Sequence, residues 1–154
     1  MAYRIEGLAP EAFESLFSMT DGELAARNAV RVTADSGGGY PCRVSLEDAA
    51  PGEELMLLNH VSNDVPTPFR TAYAIFVRKG AKAASYTDEA PDYLERRTLS
   101  LRGFDAGGML KDGLIAMPGE ADARIRALFG REEIATIHAH NAAYGCFLAR
   151  IERN

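Results

Sequence analysis

Apolar residues recur along this chain with two spacings. Where they alternate or run together over five to eight residues, with turn residues on both sides, they mark strands. Ala29 to Thr33, Glu54 to Val61, Ala72 to Arg78 and Thr98 to Gly103 fit this description. So do Ile134 to His140 and Cys146 to Arg153, which close the sequence. Elsewhere the spacing is helical. Ala121, Ile125, Leu128 and Phe129 form an i, i+4, i+7, i+8 stripe ahead of Gly130, which predicts a helix over about 119–129. Phe13, Leu16 and Phe17 share a face after Pro10, and Thr20 to Glu23 has capping-box spacing. Two short helices near the amino terminus follow.

The connections are equally legible. Ala50-Pro51-Gly52-Glu53 fits a type II turn, and Pro66 and Pro68 place 63–69 in a loop. Asp112-Gly113 is a hairpin signal and predicts that Met109-Leu110 pairs with Leu114 to Met117. Residues 79–92 read as a polar surface segment with a helical turn near Tyr93. Strands outnumber helices and hairpin signals recur. The predicted fold is α+β: a single domain over 1–154 with a mainly antiparallel sheet, one clear helix and short amino-terminal helices.

The last two strands carry the candidate chemistry. Side chains alternate across a strand, so Ile137 and Ala139 share one face while His138 and His140 share the other. Joining the apolar sets of the two strands pairs Ala139 with Phe147, Ile137 with Ala149 and Ala135 with Ile151, leaving Asn141 to Gly145 as the turn. His140 then lies opposite Cys146, and one face carries His138, His140 and Cys146 together. A His-x-His pair on a strand aims two imidazoles the same way, and His60, Cys42 or Cys146 would complete a metal site. The residue spacing of cupins is absent, because the first glutamate after His140 is Glu152. Alternatively, a thiol beside an imidazole, oriented by Asn141, would make a nucleophile. The plainest reading is structural: a buried cysteine, and histidines that only hydrogen-bond the sheet.

Two arginines suggest a binding site. Arg43 ends the glycine-rich stretch GGGYPCR, with Tyr40 and Cys42 beside it, and Arg70 follows the proline loop. The guanidinium fork suits a carboxylate or phosphate. If loops 37–45, 63–71 and 140–146 meet at one end of the sheet, they would enclose a small anion. Against this, each arginine is also placed to pair with a surface acid such as Asp48 or Glu53. The glycine stretch lacks the Lys-Ser or Lys-Thr tail of a phosphate-binding loop.

Composition narrows the function classes. The chain has 154 residues and a formal net charge of −5, and its charges are interleaved, so nothing favours nucleic acid. No apolar run approaches the roughly 20 residues that span a bilayer. The first residues carry Glu6, Glu11 and Glu14 in place of an apolar leader. Two cysteines, Cys42 and Cys146, stand far apart with no CxxC pair, which points to a cytoplasmic protein with reduced thiols. No cofactor is expected, and the chain is compatible with a homodimer.

The segments YPCRVSLEDAAPGEELMLL, PFRTAYAIFVR and IHAHNAAYGCFLARIER occur in an order and spacing that resembles a bacterial family, the domain of unknown function 1203. Its recurring phrases fall on Tyr40 to Arg43, Asp48 to Glu53, Ile75 to Arg78, and His138, Asn141, Gly145 and Cys146. Thr71 to Ala74 depart from a Ser-Gly-Pro-like approach to the strand. The resemblance runs from about Ala29 to the last residues and implies a compact bacterial domain. It implies no activity, cofactor or catalytic residue. The expectation is a binding module for a small ligand or a partner. The alternative is a small enzyme, metal-assisted or thiol-based, using the His138, His140 and Cys146 face.

Overall fold

A computed structural model describes residues 2–154. It is an α+β fold built on two sheets. The larger is formed by β1 (Tyr3–Glu6), β7 (Ser85–Thr87), β8 (Leu99–Phe104), β9 (Leu110–Ala116), β10 (Thr136–Asn141) and β11 (Phe147–Arg153), in the order β7-β1-β11-β10-β8-β9. The smaller is formed by β2 (Ala29–Thr33), β3 (Pro41–Cys42), β4 (Glu47–Asp48), β5 (Glu54–Asn63) and β6 (Thr71–Arg78), in the order β2-β5-β6-β3-β4. All pairings are antiparallel except the single parallel contact of β3 with β6. No helix is long and apolar enough to cross a membrane.

Alternation explains how the layers stack. On the larger sheet Ile5, Leu99, Leu101, Ile137, Ala139, Ala149 and Ile151 project to one side. There α3 (Ala121–Phe129) covers them with Ala121, Ile125, Leu128 and Phe129, the predicted stripe. The short α2 (Asp92–Glu95) adds Tyr93 and Leu94. The opposite side is polar along β1 and β11 but is met at one end by the smaller sheet, where Ile75 and Val77 pack with Phe147 and Cys42. Near the amino terminus, α1 (Asp21–Ala25) buries Leu24 against Ala29 and Met56. Its capping box is formed, with the Thr20 hydroxyl accepting from the Glu23 N–H.

Several sequence expectations need correction. Residues 10–18 form two 3-10 turns, not an α-helix. The polar stretch 79–92 contains β7, which is ordered by pairing with β1. The β8–β9 hairpin turns at Asp105 to Gly108, not at Asp112-Gly113. Gly108 supplies the positive φ of 88°, and the Asp105 side chain accepts from the N–H groups of Gly107 and Met109. Gly113 instead sits inside β9 opposite Arg102. The type II turn is as expected: Gly52 has a φ of 89° and the Glu53 N–H reaches the Ala50 carbonyl.

The chain passes between the sheets at a crowded junction. The Gly7 N–H donates to Ala84, the Leu8 N–H to Arg43, and the Ala84 N–H to Val44. A β-carbon on Gly7 would fall 1.7 Å from the Val44 carbonyl oxygen, so this backbone contact exists only because residue 7 has no side chain. Gly7→Ala should cost more than about 3 kcal/mol, measured by urea unfolding. Gly22→Ala, at an open helical position with no atom within 4 Å, should be neutral or stabilising by up to about 1 kcal/mol.

Candidate functional site

The closing hairpin positions the histidines, but in another register than the sequence suggests. Ile137 pairs with Ile151, His138 with Arg150 and Ala139 with Ala149. A β-bulge then brings His140 opposite Phe147. The extra residue is Leu148, and it reverses the side-chain alternation of β11. Leu148 therefore joins the helix-side core, and Phe147 turns to the histidine side. The expected pairs Ala139–Phe147, Ile137–Ala149 and His140–Cys146 do not form. An all-apolar face chosen by strict alternation overlooked the bulge.

His138 and His140 are each 2% exposed and lie in an aromatic seam between the sheets. Phe147 meets both rings edge-on, at centroid distances of 5.4 Å and 5.9 Å. Phe104 lies 5.1 Å from His138, and Tyr73 lies 5.0 Å from His140. The His140 Nδ1 pairs with the Gly145 carbonyl at 3.0 Å. Neither ring nitrogen of His138 hydrogen-bonds another described residue. Burial pushes the His138 pKa down to about 3, helped by the charges of Arg150 and Arg102 and by His140, and opposed by Glu152. Burial likewise pushes His140 down to about 4, against the pull of the Gly145 carbonyl. Both rings are neutral at pH 7.

Cys146 lies at a different corner. Its sulfur accepts from Arg43 Nη2 at 3.4 Å, and no hydrogen bond joins it to either histidine. Arg43 is not the surface residue the sequence suggested: it is 2% exposed. Its Nε donates to the Phe147 carbonyl at 2.8 Å and its Nη1 to the Pro41 carbonyl at 2.5 Å. The buried Tyr93 hydroxyl donates to the Leu148 carbonyl at 3.2 Å. β1 stops pairing at Glu6, opposite Arg150, so these two carbonyls lie beyond its end and beside the bulge. Arg43 and Tyr93 supply the donors that a neighbouring strand would have given.

The remaining candidates scatter. Cys42 is fully buried, and its sulfur accepts from the N–H groups of Ser45 and Arg78. The Tyr40 hydroxyl donates to Asp35, and the Asn141 side chain accepts from the Ala143 and Tyr144 N–H groups to close the hairpin loop. His60 packs on Phe13, with its pKa lowered by burial. Arg70 is exposed and pairs with Asp64. Its loop is tied by Thr67 to Gly108, near the Thr136 end of β10. Loops 37–45 and 140–146 do meet, through Arg43, but at the Asn141 end of that strand, so the expected three-loop pocket is not formed. Asp48 is claimed by Arg97 and Arg96. Among the described residues no three His, Cys, Asp or Glu side chains are grouped as metal ligands.

A broad concavity lies in a part of the chain without any recognisable motif. It is a trough of about 630 Å³ between Glu6 to Phe17 and Val77 to Ala83. It adjoins a second hollow of about 480 Å³ through shared Arg78, Gly80 and Lys82. Phe13, Phe17, Val77 and Ala81 supply apolar lining. The first segment brings Glu6, Glu11 and Glu14 to the lining and the second brings Lys82 and Arg78, the latter paired with Glu53. Its signal in the sequence was only the apolar face of Phe13, Leu16 and Phe17.

These features define a two-sheet α+β protein with a desolvated imidazole seam and an amphipathic trough. Residues 39–153 match the family described as Protein of unknown function (DUF1203), and the chain belongs to that family. No curated protein matches it, and no solved structure does.

Two measurements probe the seam. An imidazole kept neutral by the fold takes up its proton on unfolding. Stability should therefore be level above pH 6.5 or so and should fall below it, by about 1.4 kcal/mol per pH unit for each ring, until the folded values near 3 and 4 are approached. Urea unfolding at pH 7, 6 and 5 measures the slope, and both ring signals should stay untitrated by NMR down to pH 5. Separately, Arg43→Lys should cost about 2–4 kcal/mol, because one ammonium cannot reach all three acceptors and leaves a buried carbonyl unpaired.

Proposed function

We propose that the protein is a binding module whose ligand lies in the Phe13–Lys82 trough, and that the ligand is an apolar amino acid or short apolar peptide with free ends. The observation that carries this reading is the lining of the trough, where Phe13, Phe17 and Val77 occur with carboxylates from one segment and cations from the other. Its volume falls within the roughly 300–1,000 Å³ of small-molecule clefts. An ammonium would face Glu11 and Glu14, a carboxylate would face Lys82, and the side chain would cover Phe13 and Val77.

The alternative, an enzyme built on the histidine face, has less support. A nucleophile needs its base within hydrogen-bond reach, and Cys146 has no such contact with either ring. A catalytic zinc needs three protein ligands. A net charge of −5 speaks against a nucleic-acid partner. Both cysteines are free thiols, in keeping with a reducing bacterial cytoplasm as the working compartment. A homodimer stays compatible with this reading.

A thermal-shift series tests it. L-phenylalanine and dileucine should stabilise the protein, by roughly 2.7 kcal/mol at 100 times the dissociation constant. Their N-acetyl and amide forms, each lacking one charge, should stabilise it less. Lys82→Glu, an exposed charge reversal, should fold normally and lose the response to free carboxylates. If no free-ended compound raises the melting temperature, or if Lys82→Glu responds as the parent does, the trough is not the ligand site.

A further inference from the structure

A second, smaller cavity of about 80 Å³ lies at the other end of β10, lined by His138, Thr136, Asn63, Arg150, Phe104 and Val65 among others. His138 brings to it a side chain that is 2% exposed and has no hydrogen-bond partner among the described residues. A neutral imidazole carries one N–H and one bare nitrogen, and leaving both unfilled in the interior is costly. The surrounding rings of Phe104 and Phe147 satisfy neither. The cavity that His138 lines is open to a partner for these nitrogens.

The lining residues limit what that partner can be. The Thr136 hydroxyl has no hydrogen-bond partner among the described residues. Arg150 engages Glu152 through Nε and Nη2, which leaves Nη1. Three groups able to donate thus line one space: the imidazole of His138, the hydroxyl of Thr136 and the guanidinium of Arg150. Asn63 donates to the Phe69 carbonyl, and no described group donates to its carboxamide oxygen. Asp105 also borders the space, but its oxygens are occupied by the Gly107 and Met109 N–H groups and by Lys111. Arg150 borders the space and Arg102 lies opposite His138 in the ladder, so cations stand on this side of the ring. A volume of 80 Å³ corresponds to two or three waters at about 30 Å³ each, or to one planar group of three or four heavy atoms.

We infer that the His138 cavity is a binding site for a small monocarboxylate of formate or acetate size, held by the His138 N–H, the Thr136 hydroxyl and Arg150. This site is separate from the trough and does not depend on it. A monoanion fits because the excess positive charge is modest. A dianion would meet Glu152 and Asp105 as well.

The test is an NMR titration of the full chain with sodium formate and sodium acetate, at constant ionic strength made up with chloride. The His138 ring signals should shift saturably with the carboxylates and not with chloride alone. Thr136→Val, an isosteric change at a partly exposed strand position, should fold normally and weaken binding about tenfold by removing one hydrogen bond to a charged group. His138→Phe should abolish it. Shifts that are linear in concentration, or equal for chloride, would show a cavity filled by water alone and overturn the inference. So would a saturable response that Thr136→Val leaves unchanged. Because the trough's Lys82→Glu variant should bind formate as the parent does, failure at one site is distinguishable from failure at the other.

Discussion

One extra residue in β11 decides what the inside of this protein looks like. With Leu148 bulged out of the ladder, Phe147 leaves the helix-side core and enters the space between the sheets. It becomes the ring against which both imidazoles and the Ile75–Val77 stretch are packed. A bulge also strands backbone groups, and here the orphaned carbonyls are met by two buried side chains from distant parts of the chain. Arg43 thereby ties the smaller sheet to the last strand of the larger one. A guanidinium buried without a carboxylate is an expensive fastener. It is tolerated because three acceptors surround it in the fork geometry that arginine alone provides.

The same bulge separates the chemistry that the sequence appeared to gather. Without it, Cys146 would face His140 across a regular hairpin. With it, the thiol is drawn toward Arg43, and the rings are sealed among aromatics as neutral groups. Two polar residues in the interior then differ in kind. His140 is satisfied by its own hairpin through the Gly145 carbonyl. His138 has no hydrogen-bond partner among the described residues and lines a small cavity instead.

Most of the architecture was legible from spacing alone. The β2 limits, the Ala121–Phe129 helix, the Thr20 capping box and the Pro51-Gly52 turn all follow from local rules that the tertiary fold did not override. The errors have local causes as well. Asp112-Gly113 has turn chemistry, but Asp105 to Gly108 has it too, and the latter is fixed by packing against Val65. β1 and β7 are short and half polar, so only the partner strand reveals them. The trough was invisible because its walls come from residues seventy positions apart, with no motif in either. The burial of Arg43 was invisible because a cation reads as surface until the unpaired carbonyls around it are known.

The pairing of β1 with β11 joins the two ends of the described chain: Tyr3 lies beside Arg153, and the Asn154 N–H reaches the Ala2 carbonyl. During synthesis the first strand therefore emerges long before the strand it must lie against. Until the last hairpin leaves the ribosome, Tyr3 and Ile5 have no inner neighbour, and β7 has only a detached ribbon to pair with. Assembly of the larger sheet is thus a late, long-range closure of the slow kind. The burial of Tyr3 and Ile5 thus depends on residues more than 140 positions away.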